Sequence, residues 1–292
     1  MTLFAGLEQI VKTDEPLAPH TWLRIGGPAT YFIEPETLDQ LRDVARRCRE
    51  NDIPVYVLGD GANLLIDDAG VRGAVIHLGR GEFTKVSFGE AGVEAAAGAD
   101  MGRLVLRTVR EGLAGLEGLT GIPGSVGGCV RMNAGGSFGD IGNAVESVDV
   151  MTEDGEVFTR HRDDLAFAYR STNITSRFIL GATFRLGPDD PHRILKQIKQ
   201  IWIYKKNSQP LGRNNAGCIF KNPRGLSAGA LIDKAGLKGR REGGAHVSEK
   251  HANFILADDG CRASDLLKLI NQIREQVYKN SEVYLELEIE VW

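Results

Sequence analysis

The stretch GLEGLTGIPGSVGGCVRMNAGGSFGDIG, residues 115–142, is the most informative part of this chain. It holds ten of the 36 glycines, and Arg131 is the only charged residue between Thr120 and Gly139. Glycine accepts positive φ and lets the backbone approach a neighbour closely. The stretch is too apolar for a flexible linker and lacks the pattern of a P-loop. We predict a backbone cradle whose N–H groups face an anionic or planar ligand; the alternative is a series of tight turns.

Composition limits the class of protein. The 292 residues exceed one average domain, and 42% hydrophobic and 25% charged residues are ordinary for a soluble globular protein. A net charge of −4 gives no reason to expect a nucleic-acid partner. We find no apolar run of the ~20 residues that a membrane span needs, and no signal peptide. The widely spaced cysteines, without a C-x-x-C pair, predict free thiols in a reducing cytoplasm and no metal site.

Hydrophobic periodicity predicts an alternation of helices and strands. Helices are predicted at residues 37–51, 101–111, 194–206 (with Trp202 facing inward), 227–235 (capped by Ser227 and ended by Gly236) and 264–279 (capped by Ser264). Strands are predicted at residues 55–58, 74–78, 86–97, 145–152, 156–159, 178–186, 254–257 and 283–292, with a turn-rich segment at 207–216. The order near the N-terminus suggests a βαβ unit with parallel pairing.

Three segments carry a family resemblance. They are residues 21–29 (TWLRIGGPA), 59–65 (GDGANLL) and 121–135 (GIPGSVGGCVRMNAG). Together they resemble the R-I-G-G-x-A, G-x-G-S-N-L-L and G-I-P-G-(S/T)-V-G-G…M-N-A-G motifs of UDP-N-acetylenolpyruvoylglucosamine reductases, enzymes of bacterial peptidoglycan synthesis. Ala62 stands where the family usually has Ser, which removes one hydroxyl donor and leaves the backbone shape intact.

The resemblance covers nearly the whole chain and implies its fold. It implies an α+β protein, with a two-lobed FAD-binding fold of the vanillyl-alcohol oxidase (PCMH) type and a C-terminal α+β substrate-binding domain. The expected lobes are residues 1–80 and 81–189, the substrate domain is 190–282, and a last strand, 283–292, returns to the first lobe. The residues expected to hold non-covalent FAD are Gly59, Asp60, Gly61, Ala62, Asn63, Leu64, Gly121, Ile122, Pro123, Gly124, Ser125, Gly127, Gly128, Asn133, Ala134 and Gly135.

The segment GCIFKNP, residues 217–223, resembles the family motif G-S-x-F-K-N-P except at Cys218. The family Ser at this position protonates the substrate, so the resemblance implies that Cys218 is the proton donor. A thiol, with a reference pKa of ~8.5, is a better proton donor than a hydroxyl. The alternative is that Cys218 is a small buried apolar residue, the usual state of a free cysteine.

Two further catalytic residues follow from the resemblance. Arg170 stands in Y-R-S-T, similar to the family motif Y-R-x-S, and a guanidinium suits a substrate carboxylate. Glu288 aligns with the second Glu of the family's L-E-P-E, but Leu287 replaces the Pro, so Glu286 and Glu290 stay open. The alternative interpretations are that Arg170 forms a structural salt bridge and that the three glutamates lie on a solvated strand edge. The residues expected near the substrate are Tyr169, Lys221, Asn222 and His251, of which Lys221 and His251 could instead be surface and structural groups.

The implied reaction is reduction of the enolpyruvyl ether of UDP-N-acetylglucosamine to UDP-N-acetylmuramate, with NADPH as reductant through FAD. Arg170 and Glu288 would stabilise the enediolate, Glu288 as a protonated acid or through water. The short spacing from Arg170 to Cys218 resembles the shorter subtype, without the substrate-gating Tyr insertion. A cytoplasmic monomer in cell-wall synthesis, cell shape and cell division is expected.

The sequence is also compatible with two other functions. One is an FAD-dependent oxidase or dehydrogenase of an alcohol or sugar on the same flavin-binding fold. That reaction needs a base, and often a His or Cys bonded to the flavin; only Cys129 stands in the glycine-rich run. The other is a flavin- or nucleotide-binding module without turnover, which would not need Arg170, Asn222 or Glu288.

Overall fold

The computed structural model describes residues 3–89, 92–212 and 214–292. Its helices are α1 (Leu38–Glu50), α2 (Met101–Arg110), α3 (Val126–Arg131), α4 (Pro191–Ser208), α5 (Ala228–Lys234) and α6 (Ala263–Ser281). Its strands are β1 (Val11–Pro16), β2 (Pro28–Ile33), β3 (Val55–Leu58), β4 (Leu64–Leu65), β5 (Val71–His77), β6 (Val86–Gly89), β7 (Gly92–Ala96), β8 (Leu113–Ala114), β9 (Gly135–Gly136), β10 (Gly139–Asp140), β11 (Val145–Met151), β12 (Val157–His161), β13 (Phe167–Ala168), β14 (Ser171–Thr172), β15 (Phe178–Phe184), β16 (Gly187–Pro188), β17 (Arg241–Glu242), β18 (Ala245–Val247), β19 (Ile255–Ala257) and β20 (Glu290–Val291). Residues 90–91 of the predicted strand region 86–97, Arg213 of the predicted turn-rich segment, and the first two residues of the predicted first lobe lie outside the described residues.

The chain divides into two compact units that do not follow chain order. The first unit comprises Met1–Asp14, Thr30–Asp60 and Arg72–Tyr204, and the second comprises Glu15–Ala29, Gly61–Val71 and Lys205–Trp292. Each unit has its own buried apolar core. The three-part division at residues 80, 189 and 282 stays a prediction.

Two sheets dominate the first unit. A five-stranded sheet has the order β12-β11-β15-β7-β6, and all of its pairs are antiparallel. A four-stranded sheet has the order β1-β2-β5-β3, and β3 pairs with β5 in parallel, with Val55 opposite Ala74. The predicted parallel pairing is therefore confirmed. Helix α1 begins at Thr37, whose hydroxyl accepts the Gln40 N–H at 3.3 Å, and buries one apolar face.

The second unit is organised around α6. This helix buries an apolar stripe that includes Leu266, Ile270, Ile273 and Val277, and it packs beside the antiparallel sheet β17-β18-β19. The short strand β20 pairs in parallel with β4, with Glu290 opposite Leu64.

Most predicted helices are confirmed to within a few residues, and two details of them are wrong. Ser227 caps α5 as predicted, and Gly236 follows its end with φ +71°. Ser264 does not cap α6: Arg262 is the N-cap residue, and the Asp265 carboxylate accepts the Arg262 N–H at 3.2 Å. A charged carboxylate in the first helical turn is a stronger acceptor than a hydroxyl.

Trp202 is 45% exposed, so its predicted inward orientation is wrong. The buried stripe of α4 consists of Ile194, Ile198 and Ile201. Trp202 lies eight positions after Ile194, about 80° around the helix, at the edge of that stripe.

The predicted C-terminal strand is too long. Only β20 forms a strand there, and Leu287 makes an isolated bridge with Phe220. The segment changes its hydrogen-bond partner between these two points, which interrupts a regular ladder. The predicted alternation holds in part, because Leu285 and Ile289 are buried while Glu286 is exposed.

Candidate functional site

A cavity of about 160 Å³ lies in the first unit, against the glycine-rich stretch. Six of the predicted cofactor residues line it: Gly59, Asp60, Gly124, Ser125, Gly127 and Gly128. Sequence reasoning missed the rest of the lining, which is Val57, Leu58, His77, Leu78, Gly79, Ala97, Gly98, Asp100, Arg131, Arg177 and Ile179. Among these, only Arg131 carried a signal, as the lone charge of the stretch.

Glycine is required here because segments of backbone pack closely. Gly124 has φ +144°, which side chains rarely adopt. A Cβ on Gly127 would lie 2.8 Å from the Ala97 Cβ, and a Cβ on Gly59 would lie 2.5 Å from the Ser125 Oγ. These glycines therefore bring the strand ends and the start of α3 together as the walls of the cavity.

The expectation that the N–H groups of this stretch face a ligand is wrong at the first turn of α3. The N–H groups of Val126 and Gly127 donate to the carbonyl oxygens of Ala99 and Ala97 at 2.9 and 2.7 Å. The Gly128 N–H donates to the Ser125 Oγ at 3.3 Å. The protein itself satisfies these three donors, so the glycines here serve close packing rather than open hydrogen-bond donation.

The charges of the cavity come from two guanidinium groups and two carboxylates. Arg131 donates to the Ile174 carbonyl at 2.5 Å, and burial lowers the pKa of its guanidinium, with Arg177 adding to the effect. Asp100 accepts the Arg103 N–H at 2.6 Å as the cap of α2. Glycine backbone, a hydroxyl and guanidinium groups suit part of a dinucleotide. The cavity is smaller than the ~300–1,000 Å³ of typical ligand pockets, so it is large enough for only part of a dinucleotide.

Two predicted cofactor asparagines hold protein backbone. Asn133 has φ +44°; its Oδ1 accepts the Gly142 N–H at 3.0 Å and its Nδ2 donates to the Ala168 carbonyl at 2.9 Å. In the second unit, the Asn63 Nδ2 donates to the Glu288 carbonyl at 3.0 Å, and the Asn63 carbonyl accepts the Glu290 N–H at 3.0 Å. Each side chain therefore positions a segment that carries a predicted catalytic residue.

The remaining predicted cofactor residues lie outside the lining of this cavity. Gly121, Ile122 and Pro123 form the turn before α3, and Ala134 and Gly135 begin the small hairpin β9-β10. Gly61, Ala62 and Leu64 belong to the second unit, where Gly61 has φ +62° and Leu64 is buried in β4.

Arg170 and Tyr169 form the two-residue turn of the hairpin β13-β14. Arg170 has φ +55°, a conformation that costs a non-glycine residue roughly 1–2 kcal/mol. Its guanidinium carbon lies 5.1 Å from the ring centre of Tyr169, which is 51% exposed. Positive φ is usual in two-residue hairpin turns, so the turn itself explains this backbone geometry.

In the second unit, the segment after Cys218 lies beside the C-terminal segment. The Lys221 N–H donates to the Glu286 carbonyl at 2.9 Å, and the Glu288 N–H donates to the Ile219 carbonyl at 2.8 Å. The structure thus brings the predicted proton donor and the predicted catalytic carboxylate onto neighbouring stretches of backbone. Of the three candidate carboxylates, Glu288 is partly buried, whereas Glu286 and Glu290 are exposed.

The four cysteines differ in exposure. Cys48, Cys129 and Cys261 are buried, and Cys218 is half-buried. Burial raises the pKa of the Cys129 thiol to about 12, with smaller contributions from Asp60 and Asp100. A thiol of that kind is not a nucleophile at neutral pH, which argues against a covalent bond from Cys129 to a flavin.

The predicted substrate residues of this unit make specific contacts. The Lys221 Nζ lies 4.0 Å from a carboxylate oxygen of Glu286. The Asn222 Oδ1 accepts the Ala228 N–H at 3.0 Å at the start of α5. The His251 Nδ1 accepts the Asn253 N–H at 3.2 Å, and burial lowers the pKa of the His251 imidazole. The neutral form of His251 therefore carries its proton on Nε2.

Comparison with known proteins identifies first the class and then the family. The fold and the glycine-walled cavity define a flavin-binding protein: a family model described as an FAD binding domain matches residues 29–160. A second model, described as the UDP-N-acetylenolpyruvoylglucosamine reductase C-terminal domain, matches residues 209–292. The chain belongs to the family of UDP-N-acetylenolpyruvoylglucosamine reductases. The predicted α+β fold, built from an FAD-binding part and a C-terminal reductase domain, is confirmed.

The relatives match along nearly their whole length. The reductase of Carboxydothermus hydrogenoformans is 42% identical over 96% of this chain and 93% of its own length. That of Geobacter metallireducens is 41% identical over 99% and 96%. A crystal structure of UDP-N-acetylenolpyruvylglucosamine reductase from Thermus caldophilus is 39% identical, with a TM-score of 0.84, over 97% of this chain and 98% of that one. Among the described residues, no helix has the length and apolar character to cross a membrane.

Proposed function

We propose that this chain reduces UDP-N-acetylenolpyruvoylglucosamine to UDP-N-acetylmuramate, with NADPH as the reductant and non-covalent FAD as the cofactor. The observation that carries the proposal is the pairing of residues 219–221 with residues 286–288. It joins the family's proton-donor motif to its C-terminal glutamate motif, within a chain of the reductase family.

Bound FAD would supply the hydride chemistry that connects NADPH to the vinyl carbon of the substrate. Arg170 pairs with the substrate carboxylate and stabilises the negative charge that grows there, since a fixed cation at a developing charge is a large catalytic term. The Cys218 thiol then gives its proton to C2. Hydride on one carbon and a proton on the other complete the reduction of the double bond.

Glu288 acts on the same developing charge as a hydrogen-bond donor, either protonated or through a water molecule. Its backbone position supports this role, because its N–H and carbonyl are held by Ile219 and Asn63. The side chains proposed to contact the substrate are Tyr169, Lys221, Asn222 and His251. The cavity residues of the first unit are proposed to hold one portion of FAD.

The enzyme is proposed to work as a cytoplasmic monomer of the shorter subtype, without a nucleic-acid partner. Its UDP-sugar substrate is anionic, which suits the guanidinium and ammonium groups assigned above. An oxidase that bonds the flavin covalently is not favoured, because Cys129 is buried with a raised pKa.

Stopped-flow absorbance of the FAD-loaded protein tests the proposal. NADPH should bleach the flavin, and anaerobic mixing with the enolpyruvyl substrate should restore its colour. A flavin that NADPH reduces and the substrate never reoxidises would exclude the reductase function. Flavin that stays with the polypeptide after denaturation would instead favour a covalent oxidase.

A further inference from the structure

Asn253 makes an unusual set of contacts in the second unit. The residue is buried, with 3% of its surface exposed. The Oδ1 accepts the Phe220 N–H at 3.0 Å, and the Nδ2 donates to the Phe220 carbonyl at 2.8 Å. The Asn253 main-chain carbonyl also accepts the Ile219 N–H at 2.8 Å. The side-chain amide thus pairs with Phe220 as the backbone of a neighbouring strand would.

The opposite edge of the same segment is also occupied. There the Lys221 N–H and the Ile219 carbonyl bond to the backbone of residues 286 and 288. Residues 219–221 are therefore held between the C-terminal segment on one side and Asn253 on the other. A side-chain amide here takes the place of a third strand.

Cys218 stands directly before this held segment. The peptide on its C-terminal side is fixed by the Ile219 N–H bond to Asn253. On its N-terminal side, the Gly217 N–H donates to the Asn215 Oδ1 at 3.0 Å. Anchors on both sides restrict the backbone from which the Cys218 thiol projects.

Asn253 is itself fixed. Its N–H donates to the His251 Nδ1 at 3.2 Å, and the His251 N–H donates to the Ser248 Oγ at 3.3 Å. The loop therefore presents the amide in one orientation, with its donor and its acceptor matched to the two polar groups of Phe220.

We propose that Asn253 is a positioning residue: its side-chain amide fixes the Phe220 peptide and thereby the Cys218 thiol that protonates the substrate. The proposal rests on the function proposed above for Cys218. Among the side chains, only a carboxamide has a donor and an acceptor in one plane with the spacing that they have in a peptide group. Positioned groups lose much of their effect when they move by about 1 Å.

The test uses Asn253→Asp, which keeps the shape and exchanges the donor for a carboxylate oxygen. At about pH 8 the carboxylate of the variant would face the Phe220 carbonyl and repel it, so the hydrogen bond between residues 253 and 220 is lost. Near pH 5.5 a protonated, buried Asp restores the donor. The first readout is alkylation of Cys218 by iodoacetamide, followed by peptide mass spectrometry. The variant should react at least about fivefold faster than the wild type at pH 8, and at nearly the wild-type rate at pH 5.5.

Flavin kinetics give the second readout. Reduction by NADPH should be unchanged in Asn253→Asp, while reoxidation by the substrate should slow about tenfold or more at pH 8 and recover at lower pH. In Asn253→Gln the amide lies one methylene group further from the backbone. This variant should show both the faster alkylation and the slower reoxidation, and neither should recover at low pH. Asn51→Asp removes a similar amide donor, to the Arg47 carbonyl on α1, and should match the wild type throughout.

Equal alkylation rates in wild type and both Asn253 variants at both pH values would overturn the proposal. So would parallel losses in both half-reactions without rescue at low pH, which indicate damage to the whole fold. Because alkylation needs no substrate, a wild-type protein that fails to reoxidise refutes the proposed function while the positioning by Asn253 is still measured.

Discussion

The cavity of the first unit and the Cys218 segment of the second are built by opposite means. In the cavity, glycines at positions 59, 98 and 127 allow close packing, because a Cβ there would collide with a neighbouring atom, while side chains such as Asp100 and Arg131 supply its charges. The Cys218 segment depends on side chains, because Asn253 and Asn63 hold backbone that carries the proposed acid and carboxylate. The cavity therefore depends on the absence of Cβ atoms at a few positions, whereas the Cys218 segment depends on hydrogen bonds from individual side chains.

The departures from the family motifs at Ala62 and Cys218 both lie in the second unit. Ala62 replaces a Ser directly after Gly61, whose φ is +62°, and the loss of a hydroxyl leaves this backbone shape intact. Cys218 replaces a Ser at the position proposed to supply a proton, and the thiol keeps a proton on a group of similar size. Segments whose shape is set by backbone conformation should tolerate changes of side-chain chemistry. Segments in which a side chain has a chemical role should tolerate only substitutions that preserve that role.

The largest effect is expected at Cys218. Cys218→Ala removes the proton and should slow reoxidation of the flavin by the substrate about 10²–10⁴-fold, the range of positioned acid catalysis. Cys218→Ser restores a donor of nearly the same volume and should keep substantial activity. Single-turnover reoxidation, with melting temperatures alongside, measures both. A structural thiol would give the reverse order, and an active, stable Ala variant would end the claim that Cys218 is the acid.

The next largest effect is expected at Arg170, whose side chain is proposed to bind the substrate carboxylate and whose backbone forms the hairpin turn. Arg170→Ala and Arg170→Gly should both slow the substrate half-reaction by about 2.7–4 kcal/mol of barrier, and spare reduction by NADPH. Glycine accepts φ +55° without strain, so the Gly variant should be more stable than the Ala variant by about 1 kcal/mol. Stopped-flow kinetics and urea denaturation separate the two roles. Equal losses in both half-reactions would point to a damaged flavin site.

A smaller effect, on stability and cofactor content, is expected from a glycine pair. In Gly127→Ala the new methyl would lie 2.8 Å from the Ala97 Cβ, so we expect about 1–3 kcal/mol of destabilisation and less bound FAD. Gly102→Ala is the matched control: it is exposed on α2, with its nearest neighbour at 3.4 Å, and should gain about 0.5–1 kcal/mol. Thermal unfolding and flavin absorbance of the purified variants measure this. Normal FAD content in Gly127→Ala would contradict this expectation and show that the neighbouring residues move enough to accept the new methyl group.

The sequence predicted the parts of the fold that local patterns encode. Helices α1 and α2 and strand β3 follow from hydrophobic period, and the glycines at 124–128 were expected in the cofactor region. The other cavity walls, such as Gly98 and His77, meet the glycine-rich stretch only through sheet topology, which no local pattern reveals.

The candidate site shows the same limit. Motifs led to the prediction of Cys218, Arg170 and Glu288 as catalytic residues, but they did not reveal the contacts of the neighbouring residues. Asn133 and Asn63 were assigned to FAD, whereas their side chains bond to backbone carbonyls 35 and 225 residues away. Asn253 was not singled out, because a buried amide bonded to a distant peptide has the same sequence signature as any loop asparagine.

The smallest effect is expected at His251, and it concerns the pH dependence of stability. Burial lowers the pKa of His251 in the folded protein, with Lys238 adding to the effect, so the unfolded chain binds the proton more readily. This contribution to stability is fully present above the unfolded value of ~6.5 and is lost as pH falls through the folded pKa. Protonation would also place a proton on Nδ1, the acceptor of the Asn253 N–H.

His251→Asn isolates this contribution, because the Asn Oδ1 stands near the position of Nδ1 and accepts a hydrogen bond without titrating. Melting temperatures of wild type and variant should differ by a constant amount above about pH 7, and the wild type should lose more stability as the pH is lowered below about 6.5. Parallel curves across this range would mean that His251 does not gain its proton on unfolding. The neutral state of the His251 imidazole would then not contribute to the stability of the loop that holds Asn253.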